Sequence, residues 1–277
     1  MRALILFLLP VATAFAAPML ALPDGLLRSN DMAAILAAAT LAEDQGSYDL
    51  AADALRRAVE VRPEEAGPAA RLIENLYRTG AAGKDEALAR AEVLLQGGTS
   101  KEISARVLLV RGLIQLERGN AAAAAQDLDM VLAAESSNAR AGLARAAADA
   151  AQGNLMAASQ RIDAIGKAGQ PYDVETRYLM RWALQGFQQS GQTVPETAEG
   201  HSALGKLLYR AGRLTEAGVE LKRAATLAAS DPAAWNLVAA IYAQQGNREE
   251  VKAACEASLA LKPDQPEITK LLDSVSK

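Results

Sequence analysis

The chain has 277 residues, with 29 Lys and Arg against 33 Asp and Glu, one histidine and one cysteine. A single thiol excludes an intramolecular disulfide framework, and one thiol with one histidine cannot build a Cys-type or His-rich zinc site. The basic residues are scattered among carboxylates and form no stripe with exposed aromatics, so nucleic acid is not an expected partner; the short Lys222-Arg223 pair beside Glu220 argues equally against anionic lipid.

The first element is a leader. Met1-Arg2 is a short positive start, Ala3 to Leu9 is an unbroken apolar run ended by Pro10, and Ala14-Phe15-Ala16 places small residues where a signal peptidase reads. This pattern predicts a secretory signal cut after Ala16, and a periplasmic or secreted product. The competing reading is an uncleaved anchor, because the uncharged stretch from Ala3 to Leu22 is about as long as a bilayer span. Membrane association is expected only in that case. Pro10, Pro18 and the alanine-rich second half weigh against it.

Beyond the leader, six glycines fall into three pairs, each separated by 34 residues: Gly46 and Gly80, Gly119 and Gly153, Gly212 and Gly246. Each lies between two stretches of helical apolar period, where one helix must stop and the chain must turn. Residues 32–64 carry Gly46, Tyr48, Ala51, Leu55, Ala58 and Pro63. In 66–98, Ala82 and Gly83 read as inserted ahead of a second helix over 85–96. Residues 105–138 carry Leu108, Gly112, Gly119, Ala124, Leu128 and Val131, and 139–170 carry Ala146, Gly153, Ala158, Ile162 and Ile165. After an interruption, 198–231 has His201, Leu204, Gly205, Leu208, Gly212, Ala217, Leu221 and Ala224. The fullest copy, 232–265, has Trp235, Val238, Ala239, Tyr242, Gly246, Val251, Cys255, Ser258 and a closing Pro263.

This spacing and these positions resemble the tetratricopeptide repeat, a 34-residue helical hairpin. The resemblance implies an all-α solenoid of antiparallel helix hairpins, in which each hairpin buries its apolar face against its neighbours. Composition agrees: half of the residues are apolar, but only 4% are aromatic, a palette dominated by alanine that lets helices approach closely. Cys255 then falls at a buried position of a second helix, as a small core residue.

The interruption runs from Pro171 to Thr197. Residues 172–190 read as one helix with Val174, Tyr178 and Trp182, and Leu179, Ala183 and Phe187, as its apolar face; 191–197, containing Pro195, read as a loop. A helix of about 17 residues is about 25 Å long, and a seven-residue link reaches about that far when extended. The link can barely return along the helix to restore the parallel order of first helices, which predicts a kink or seam between four hairpins and two. Trp182 and Phe187 fill that seam or anchor a partner. Residues 266–277 read as a capping helix.

For function, the resemblance implies a concave wall made of first-helix faces, binding a segment of another protein or peptide. Its inward positions transfer to Leu109, Leu113 and Leu116 in the third copy, Leu143, Ala147 and Ala150 in the fourth, and Ser202, Lys206, Tyr209, Asn236 and Gln244 in the last two. The middle of the groove is therefore expected to be apolar and its C-terminal part polar, suiting an amphipathic helix or extended apolar peptide. The alternative is that these leucines are core between repeats. The residues by which one class of these repeats grips a C-terminal carboxylate do not line up.

Catalytic signals are fragments. Gly200-His201-Ser202-Ala203-Leu204 misses the last glycine of a nucleophile elbow, Ser274-Val275-Ser276-Lys277 lacks companion motifs, and Gly83-Lys84-Asp85 lacks the rest of a phosphate loop. His201 sits in register with Trp235, as a packed ring. Asp127, Asp129, Glu249 and Glu250 read as solvated helix surface. The expectation is no catalytic residue, no metal and no cofactor: a scaffold or adaptor of the bacterial cell envelope, serving pilus, secretion or outer-membrane assembly. The alternatives are a membrane-tethered assembly subunit and a ligand-binding role at the seam.

Overall fold

The computed structural model describes residues 25–167 and 174–276. The expected leader and cleavage site, together with Pro171 and Tyr172, lie outside the described residues. Within them the chain is all helix: a short 3-10 turn at Leu26–Arg28, then α1 (Met32–Asp44), α2 (Tyr48–Val61), α3 (Ala66–Arg78), α4 (Ala81–Gln96), α5 (Lys101–Glu117), α6 (Ala121–Ala134), α7 (Ala139–Ala151), α8 (Leu155–Lys167), α9 (Val174–Gln189), α10 (Ala198–Arg210), α11 (Leu214–Leu227), α12 (Pro232–Gln244), α13 (Arg248–Leu261) and α14 (Pro266–Val275).

Local sequence explains where these helices start and stop. The side chains of Asp31, Ser100, Asn138, Thr197 and Asp231 accept backbone N–H groups at the N-termini of α1, α5, α7, α10 and α12, satisfying donors that the helix itself leaves unpaired. All six stride glycines have positive φ. At Gly46 the turn closes by Gly46 N–H to the Glu43 carbonyl and Ser47 N–H to the Ala42 carbonyl, and the bond spanning five residues recurs after Gly119, Gly153, Gly212 and Gly246.

Gly80 is the exception. It has φ 96° and ψ −166° and leads directly into α4, so Ala82 and Gly83 are not a loop insertion but the first turn of a second helix of 16 residues, against 14 in α2, α6, α11 and α13. Gly83 permits this: a Cβ there would lie 1.9 Å from Thr79 Oγ1 and 2.5 Å from the Leu76 carbonyl oxygen. Similarly, Ser100 starts α5 one turn before residue 105.

Helices pack as hairpins, α1 with α2 through α7 with α8, then α10 with α11 and α12 with α13, and each second helix packs on the first helix of the next pair. The core is a chain of contiguous clusters whose contacts are largely Ala, Leu, Ile and Val. Gly112 and Gly205 take the small position on their first helices, facing Leu128 and Leu221. Ion pairs tie successive pairs together, among them Arg56 with Glu86, Arg71 with Glu43, Arg106 with Glu74 and Lys222 with Glu250. At the end, Ile268, Leu271, Leu272 and Val275 of α14 pack half-buried on the α12–α13 cluster.

Between the two groups lies α9. It packs along α7 and touches α5, while α10 packs on both α8 and α9. Arg140 and Glu175 pair at the starts of α7 and α9, and Gln192 donates to the Gln152 carbonyl beyond their ends, so the two helices run parallel. Arg181, in the first half of α9, donates to the Ala211 carbonyl beyond the end of α10. Thus α10 runs antiparallel to α9 and opposes α7. The parallel order of first helices is not restored across this junction.

Candidate functional site

The surface with the geometry of a binding face is the row of first helices, and it has three sections of different chemistry. In the middle section, Leu113, Leu116 and Leu143 are buried and Leu109 is half-buried against the same cluster; Ala147 and Ala150 have no exposed surface. Packed into that cluster are Leu179, Met180, Ala183, Leu184 and Phe187 of α9, all buried, with Trp182 half-buried beside them. A Cβ added at Gly186 would come within 2.8 Å of Ala151 Cβ, which shows how closely α9 and α7 approach.

Leu113, Leu116 and Leu143, expected to line an apolar groove with Leu109, are therefore core, in one cluster with the chain's own ninth helix. Burial of a Leu, Met or Phe side chain contributes about 1.5–3 kcal/mol, so α9 is a structural member that a peptide would not displace cheaply. Its own apolar face is narrower than the sequence suggests. Val174 and Tyr178 are 65% and 53% exposed, because only one side of the helix can face α7. Of the two seam aromatics, Phe187 is buried filler. Trp182 lines a shallow cleft with Glu117, Arg118, Gln185 and Gln189. At the start of α9, Arg140 pairs with Glu175 and also lies over the Tyr77 ring, with its guanidinium carbon 6.0 Å from the centroid. Burial raises the Tyr77 hydroxyl above its ordinary pKa.

In the C-terminal section the expected polar positions are used internally. Lys206 Nζ pairs with Asp163 at 2.6 Å, joining α10 to α8. Gln244 donates to the Tyr209 hydroxyl at 3.4 Å. Asn236 donates to Gln265 and accepts from the buried Ser258 hydroxyl, a network that fixes the turn into α14. His201 is also internal: it is 3% exposed, with Nδ1 2.6 Å from Glu220 and Nε2 3.4 Å from Glu196. Asp127, read from sequence as solvated surface, is instead 5% exposed and held by both Nε and Nη2 of Arg111.

The N-terminal section is different. Glu43, Tyr48, Arg71, Glu74, Asn75, Arg78 and Arg106 line an open cleft of about 260 Å³ between α1, α2, α3 and α5. Glu43 accepts from Arg71 Nη2 and from Asn75 Nδ2, each at 2.7 Å. Glu74 accepts from Arg106 Nε and Nη2 at 2.8 and 2.7 Å, and this fork raises the Arg106 pKa further. Sequence reasoning missed this cleft. Carrying the positions of Ser202, Lys206 and Tyr209 onto the first two copies gives Leu36, Thr40 and Glu43, then Ala70, Glu74 and Tyr77, which finds the two glutamates of the cleft but neither Arg71 nor Asn75.

The fold and the 34-residue period are joined by a direct comparison: residues 232–265, covering α12 and α13, match the tetratricopeptide repeat model. Residues 232–265 are thus a tetratricopeptide repeat (TPR), set in an all-α solenoid of helix hairpins. No curated protein matches its sequence. Among solved structures, a TPR protein from Parabacteroides merdae is 17% identical, with 90% of this chain and 100% of that one aligned and a TM-score of 0.44. PilW, described as a widely conserved type IV pilus biogenesis factor, is 17% identical over 87% of this chain and 98% of its own, with a TM-score of 0.42. PilF of Pseudomonas aeruginosa is 15% identical over 88% and 97%, with a TM-score of 0.39. Likeness at this level carries no argument about what the helical array binds. Among the described residues, no helix is long and apolar enough to cross a membrane, and no cluster of His, Cys, Asp and Glu could hold a metal ion.

Proposed function

We propose that this protein is a non-enzymatic scaffold or adaptor that holds a segment of a partner protein in the N-terminal section of its first-helix face, and that it acts outside the cytoplasm in assembly of a cell-envelope structure such as a pilus, secretion machine or outer-membrane complex. The observation that carries the binding reading is the contrast along the face. The middle is apolar and largely buried, whereas the cleft between α1, α2, α3 and α5 is open and lined by polar side chains that hold one another in place. Side chains fixed by their own hydrogen bonds lose little freedom when a partner docks. The export reading is supported by Arg2, the apolar run from Ala3 to Leu9 and the small residues at Ala14 and Ala16.

The test is site-specific photocrosslinking in the source cells. A benzophenone amino acid replacing Tyr48 should capture a discrete partner, while the same group replacing Val219, exposed on the second helix α11, should not. Equal capture from both positions, or from neither, would overturn the binding reading. Mass measurement of the cellular protein tests export: a soluble product starting at Ala17 supports cleavage, and an intact Met1 in the membrane fraction favours the tethered alternative.

A further inference from the structure

We infer that Arg78 selects the partner by taking an aspartate or glutamate side chain, so that the segment bound in the N-terminal cleft is acidic. This rests on the scaffold reading above and adds the chemistry of the partner. Three arginines and two glutamates line the cleft. Both glutamates are already held, Glu43 by Arg71 and Asn75 and Glu74 by the fork of Arg106. Among the described residues Arg78 has no carboxylate partner; its guanidinium carbon instead lies 4.6 Å from the centroid of the Tyr48 ring.

Stacking engages the flat face of a guanidinium and leaves its N–H edge unspent. The Tyr48 ring thus holds Arg78 in one place while its donors stay available, at the exposed end of α3 where a partner can reach them. A carboxylate is the matching group, because its two oxygens accept the parallel N–H pair of an arginine. The charge balance of the cleft, one positive in excess, fits one negative charge. A phosphate would bring about two, with the second facing Glu43 and Glu74.

The experiment is selection of random peptides on the full-length protein, followed by affinity measurements of the selected peptides on wild type, Arg78→Gln and Arg78→Lys. Arg78 is exposed, so these variants should keep the wild-type melting curve. Selected peptides are expected to share an Asp or Glu. Changing it to Asn or Gln should weaken binding about tenfold on wild type and hardly at all on Arg78→Gln, because the two changes remove the same charge-assisted contact. Lysine should restore only part of the loss. Peptides that bind equally well without the carboxylate, or that tighten when phosphoserine replaces it, would overturn the assignment while leaving the scaffold reading intact. Failure to select any peptide would overturn both.

Discussion

Gly205 shows how a single position sets the spacing between helices. A Cβ there would lie 2.6 Å from Leu221 Cγ and 3.2 Å from the Leu221 backbone nitrogen, so α10 and α11 would have to move apart. Gly205→Ala should cost about 1–3 kcal/mol by overpacking, despite alanine's better helix propensity, and urea denaturation should show the lower midpoint. Glu86 illustrates a residue tuned by charge. Hydrogen bonds from Arg56, and then from Arg90, hold its carboxyl down to about 2. A carboxyl depressed in the folded state contributes stability above its unfolded value, and that contribution disappears as pH falls from about 4.5 towards 2. The side chain is 31% exposed and its ion pairs are partly screened by solvent, so the gain at neutral pH is at most about 1 kcal/mol. Glu86→Gln should therefore lower the urea midpoint slightly at pH 7 and match wild type near pH 2. Of such details, the small residue at Gly205 was legible from the repeat register. Arg90, one helical turn along, is a local partner, but Arg56 was not legible, since it lies 30 positions away and only tertiary packing brings it close.

At the scale of elements, α9 is the departure from a regular array. Its sequence offers two apolar stripes, and periodicity alone cannot rank them. The structure buries the one containing Leu179, Ala183 and Phe187, adds Met180 and Leu184, and leaves Val174 and Tyr178 in solvent. Leu179 is 1% exposed, so Leu179→Ala should cost about 2–5 kcal/mol by loss of apolar contact and cavity formation. Because repeat arrays couple nearest neighbours most strongly, hydrogen exchange in that variant should accelerate in α5, α7 and α9 more than in α12 and α13. Uniform acceleration across all helices would mean that α9 is not a local member. The start of α4 was misread for a related reason. Gly83 carries a turn signal in sequence, but its use is a close approach to Thr79 and Leu76 inside a continuous helix.

For the molecule as a whole, the all-helical class and the hairpin unit were legible in the sequence, because glycine turns, caps and apolar period act over a few residues and recur every 34. It also pointed to a junction at 171–197, since a short link after a long helix limits where the chain can go. Which part of the first-helix face is open depends instead on how the helices pack. Leu109, Leu113, Leu116 and Leu143 have the pattern of groove residues and of core residues alike; packing of α5 to α9 into one cluster buries all but Leu109. The cleft at Glu43, Arg71, Glu74 and Arg106 likewise depends on contacts between residues about 30 positions apart. Local signals fix each hairpin, but exposure is a property of what packs against it, and no short-range pattern encodes that.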